Sequence, residues 1–197
     1  DTLGNQKKTN YALRAEMTRE EFVREVLDGL VAPPGYFPKN AVLNKLGYES
    51  YNEVLNRGHR ALDVANFELV ANETGALILD TRKSTTFVKS FIPNSINIGL
   101  DGTFAPWVGL LIADIKQEIL IVAEPGTEDE VITRLARIGY DNAIGYLDGG
   151  FTAWVKAGQV TDHIESMSTD AFADLYTANP AVALLDVRKK SEFDSEH

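Results

Sequence analysis

The chain contains no cysteine. That excludes disulfides, thiolate metal sites and cysteine nucleophiles within these 197 residues. Histidine is nearly as scarce: His59, His163 and His197 stand far apart. None has a second ligand within one helical turn, so each is expected as a solvated loop residue, and no metal site is expected. No apolar run approaches the roughly 20 residues of a membrane span. The N-terminus DTLGNQKKTN lacks the apolar centre of a signal peptide. The expected location is cytoplasmic. Positive charge is also in short supply, 19 Lys and Arg against 29 Asp and Glu, giving a net charge of −10 with the cations scattered. Phosphate contacts dominate nucleic-acid affinity, so an acidic chain without a basic stripe is not expected to bind nucleic acid.

What is present reads as an ordinary soluble protein, 44% hydrophobic and 24% charged, long enough for one domain with appendages. The most organised stretch runs from Glu118 to Gly139. Ile119 to Ala123 form a short continuous apolar run, as in a strand buried on both faces. Glu124-Pro125-Gly126 breaks it. Thr127-Glu128-Asp129-Glu130 then predicts a capping box. Val131, Ile132, Leu135 and Ile138 come next at helical spacing, and Gly139 is placed to end the helix. Strand, tight loop and helix N-terminus together form the geometry that aims backbone N–H groups at an anion.

Residues 1–58 are polar, with short helical patterns and nothing that alternates like a strand. Thr18 to Glu21 predicts a capping box, and Phe22, Val23, Val26, Leu27 and Leu30 a stripe that needs a surface to cover. Pro33-Pro34-Gly35 is expected to terminate that helix. Ser50 caps a further helix closed by Gly58.

From His59 to Gly158 strand and helix patterns alternate, as in a parallel sheet with crossover helices. Asp63 caps a helix through Phe67 and Val70, and Ala76 to Leu79 is a buried strand ending in Asp80-Thr81-Arg82. Ser84 caps a short turn, and Ile96 to Ile98 is a strand. Phe104 to Ile112 is a helix with Trp107, Leu110 and Leu111 on one face, and Trp107 and Trp154 are both expected as core anchors. Ala143 to Tyr146 is a strand, and Gly149-Gly150 supplies a turn at positive φ. Residues 161–197 begin the pattern again. Ser168 caps a helix, Val182 to Leu185 reads as a strand, and at an offset of 106 Asp186, Arg188 and Phe193 match Asp80, Arg82 and Phe87.

Several of these pieces resemble the rhodanese domain family: LDTR (79–82), FIPNSINI (91–98), the loop after the 119–122 run, RLARIGYDNAIGYLDGG (134–150) and AWVKAG (153–158), in the family's order. The resemblance implies an α/β fold, a rhodanese-like parallel sheet flanked by helices, here with a helical N-terminal extension and an incomplete second repeat. The N-terminal segment has its own likeness. TLGNQKKTNYAL (2–13) and VAPPGYFPKNAVLNKLGYES (31–50) resemble the tail of the metallo-β-lactamase-fold domain in persulfide dioxygenases fused to rhodanese domains. The implied division is 1–58, tail of that domain and linker; 59–160, rhodanese-like domain; and 161–197, start of a second one.

In the family a cysteine follows the strand, and a six-residue loop cradles the sulfur it carries. Here that loop is Ala123, Glu124, Pro125, Gly126, Thr127 and Glu128, with Ala123 at the cysteine position, so no catalytic residue is assigned. Asp80 and Arg82 would belong to the active-site rim, or else form an architectural ion pair. By the resemblance the parent protein would use a mononuclear iron held by residues upstream of Asp1, with no cofactor in this segment. Its partners would be an upstream metallo-β-lactamase-like domain and a downstream rhodanese domain. The leading expectation is a non-catalytic structural and spacing module of a sulfur-handling enzyme. Two others stay open: an anion or persulfide-carrier site at the altered loop, or a sulfurtransferase whose cysteine lies outside these residues.

Overall fold

The computed structural model describes residues 2–13, 16–30, 33–188 and 190–196. His197 and the Val31-Ala32 pair of the N-terminal motif lie outside them. The centre is a five-stranded, all-parallel sheet of β1 (Ala61–Leu62), β2 (Leu77–Asp80), β3 (Ile96–Asn97), β4 (Ile119–Val122) and β5 (Ala143–Leu147). Its order is β1-β5-β4-β2-β3. The apolar run at 119–122 takes the middle position because both its faces must be covered, and all four of its residues are fully buried. Ile119 and Ile121 join one core layer, Leu120 and Val122 the other, as the two-residue period of a strand requires.

Helices preceding the sheet are α1 (Leu3–Thr9), α2 (Arg19–Leu27), α3 (Tyr36–Leu46) and α4 (Tyr51–Gly58). Those within and after the sheet unit are α5 (Val64–Thr74), α6 (Ser84–Phe87), α7 (Phe104–Leu111), α8 (Glu128–Ala136), α9 (Gly150–Lys156), α10 (Thr169–Ala178) and α11 (Lys190–Ser195). One layer buries Phe104, Val108, Val131, Ile132 and Leu135 from α7 and α8. The other buries Phe67 of α5 and Trp154 of α9, edge to face with centroids 6.3 Å apart. Complete burial of side chains of this size contributes about 1.5–3 kcal/mol each.

Local signals were realised where they need only neighbouring residues. Thr18 and Glu21 form the expected capping box. Asp63 Oδ1 accepts from Asn66 N–H at the start of α5, and Ser168 caps α10. Gly149 and Gly150 have φ of 71° and 59°.

Other expectations are corrected. Trp107, Leu110 and Leu111 are exposed, because α7 turns Phe104 and Val108 inward, with Ile112 just beyond it; of the two tryptophans only Trp154 anchors the core. Ser84 is the first residue of α6 and Lys83 its N-cap, without a side-chain bond, and Ser50 likewise makes no capping bond. Helix α2 ends at Leu27, before Pro33-Pro34, with Gly29 at φ 71°. Its stripe does not cover the sheet unit: α2 packs on the 3-10 turn Tyr11–Leu13, leaving Phe22, Val23, Leu27 and Leu30 exposed. The extension touches the sheet unit through α3 and α4 instead. Tyr36 enters the core against Gly109, where a Cβ would stand 2.0 Å from its ring. Helix α4 lies on α8 and β5.

The largest correction concerns Val182 to Leu185. No strand forms there; Leu184, Leu185 and Val187 are exposed, and among the described residues no strand lies beside them to take their backbone groups.

Candidate functional site

The loop 123–128 leaves the C-terminal end of β4 and enters α8. Ala123 is buried beneath it at 3% exposure, and its side chain offers a methyl group alone. Helix α9 starts hard against it: a Cβ at Gly150 would meet the Ala123 carbonyl oxygen at 2.7 Å. This close approach, not only the turn, is why glycine stands at 150, and the Gly149-Gly150 pair was its only sequence signal.

The expected capping box at Thr127 and Glu130 does not form. Thr127 Oγ1 instead donates to the Glu124 carbonyl at 2.8 Å, closing the loop on itself. Thr127 N–H donates to the same carbonyl at 3.0 Å. Glu130 pairs with Arg134 one turn on, at 2.6 Å. The Gly126 N–H donates to Glu128 Oε2 at 2.8 Å. An amide of the cradle is thereby bonded to a carboxylate of the cradle, and Glu124 and Pro125 of the same loop are exposed. Beside it, His59 Nδ1 lies 2.5 Å from Asp129 Oδ1, and the His59 ring meets Tyr146 edge on at 5.6 Å. Burial pushes the Tyr146 hydroxyl up, and the carboxylates of Glu128, Asp148 and Asp129 push it further. Negative charge dominates this end of α8. Sequence reasoning treated His59 as an isolated loop residue; its partner is 70 residues away, beyond the reach of any spacing argument. His163 is exposed.

Asp80 and Arg82 sit together at the C-terminal end of β2. Arg82 Nε donates to both Asp80 oxygens at 3.0 Å and Nη2 to Oδ2 at 2.6 Å, with a further bond from Nη2 to the Ser90 carbonyl at 3.0 Å. The guanidinium lies 3.9 Å over the Phe151 ring. Asn97 Nδ2 donates to the carbonyls of both Asp80 and Arg82 at 2.9 Å. Both charged side chains are buried and engaged, which ties β2, the following loop and α9 together. Among the described residues no group of His, Cys, Asp or Glu is arranged to hold a metal ion, so these residues do not fit a mononuclear iron.

The parallel sheet, its flanking helices and the strand–loop–helix at 119–136 define an α/β domain of the rhodanese-like fold, and residues 65–157 match the Rhodanese-like domain family. Among solved structures the chain is similar to a metallo-β-lactamase from Staphylococcus aureus subsp. aureus COL, at 25% identity and a TM-score of 0.58. That likeness covers 75% of this chain and 40% of the other, so the chain spans about two-fifths of that protein. The share exceeds what residues 65–157 supply and extends outside the domain. Weaker likenesses link the chain to a thiosulfate sulfurtransferase from Pseudomonas aeruginosa (19% identity, 83% of this chain and 31% of that, TM-score 0.43). The same holds for a Rhodanese_3-like domain from Anabaena sp. (17% identity, 48% of this chain and 98% of that, TM-score 0.42). No curated protein matches the chain. Among the described residues no helix is long and apolar enough to cross a membrane.

Proposed function

We propose that this chain is a non-catalytic rhodanese-like module that spaces and braces the reaction centres of a cytoplasmic sulfur-handling enzyme. The observation that carries the reading is the Gly126 N–H bonded to Glu128 beside a methyl group at Ala123. Covalent sulfur transfer needs an activated nucleophile, and Ala123 has none. A dissolved anion would have to displace a carboxylate tethered two residues away and approach Glu124 and Asp129 within a Debye length of about 8–10 Å.

The parent in this reading resembles a persulfide dioxygenase joined to a sulfurtransferase. A metallo-β-lactamase-like domain upstream would hold the iron, and a rhodanese domain downstream would carry the cysteine. Support comes from the likeness to a metallo-β-lactamase beyond residues 65–157 and from the Asp-x-Arg repeat at 186–188.

A thiosulfate:cyanide sulfurtransferase assay tests it. The chain is expected to show no turnover above buffer. Ala123→Cys alone is expected to recover little, because Glu124 and Glu128 would raise the thiol pKa and repel the donor. Turnover by the unmodified chain that survives rigorous purification overturns the reading.

A further inference from the structure

We draw no further inference here: the strongest candidate, the apolar face that Phe22, Val23, Leu27 and Leu30 expose on and just after α2, carries none because nothing in the structure shows what covers it.

Discussion

The two Asp-x-Arg segments carry nearly the same local geometry in opposite surroundings. Arg188 Nε donates to the Asp186 oxygens at 3.1 and 3.0 Å and Nη2 to Oδ2 at 2.7 Å, with a further bond from Nη2 to the Glu196 carbonyl at 2.9 Å. Each bond has a counterpart in the Asp80–Arg82 fork, down to the carbonyl eight residues beyond the Arg. Yet Asp80 and Arg82 are 0% and 5% exposed between paired strands, while Leu185 and Val187 beside the second fork are 81% and 86% exposed in unpaired chain. The fork closes over a few residues and needs nothing else. A strand exists only when others accept its backbone bonds. β2 finds both of its neighbours, β3 and β4, later in the sequence.

That contrast predicts very unequal consequences of removing the same carboxylate. Asp80→Ala leaves a guanidinium buried without its counter-charge and is expected to cost about 3–5 kcal/mol in a denaturant melt. Asp186→Ala is expected to leave the melt unchanged. Equal losses would break the comparison. The matched apolar positions sharpen it. Leu79→Ala, at a fully buried site, is expected to cost about 2–5 kcal/mol. Leu185→Ala should stay within about 0.5 kcal/mol by the same measurement.

The exit of the chain from the sheet domain offers a smaller effect. Trp154 Nε1 donates to the Val160 carbonyl at 2.9 Å, and Phe91 and Asp162 exchange backbone bonds at 2.9 Å, so the sheet domain grips the chain that leaves it. Trp154→Phe should lose about 1 kcal/mol through that hydrogen bond, with further loss from the smaller ring, and limited proteolysis should cut faster within 160–168.

A carboxylate with no fork sets the lower bound. The Asp141 carboxyl is raised in the folded chain, chiefly by burial, so folding favours its protonated form. Its contribution is fully present below the ordinary carboxylate value and is lost as pH rises through the raised one. Asp141→Asn is therefore expected to be neutral or slightly stabilising at pH 7, with the benefit over the parent disappearing at acid pH. A melt series over pH 3–7 that shows the opposite trend would remove the assignment.

Much of the architecture was legible because its signals are short. The continuous run 119–122, the Asp63 and Ser168 caps and the Gly149-Gly150 turn each depend on residues a few positions apart. The loop 123–128 was located correctly along the chain, but its bonding was not. A capping box was expected from spacing, whereas the folded loop sends Thr127 back to Glu124 and Gly126 to Glu128. Asx, Ser, Thr and Glu side chains have several backbone partners of similar energy, and loop shape selects among them. Helix α7 failed for another reason. With Phe104, Trp107, Val108, Leu110, Leu111 and Ile112 all apolar, its composition did not distinguish the inward face.

The sequence by itself determined the α/β alternation, the absence of a thiol at Ala123 and the fork at both Asp-x-Arg sites, since each is a matter of composition or of contacts within a few residues. Tertiary structure alone decided that α3 and α4, not α2, cover the sheet unit, that His59 meets Asp129, and that Val182 to Leu185 forms no strand. Those outcomes depend on which distant surface is available, and spacing along a chain carries no information about that.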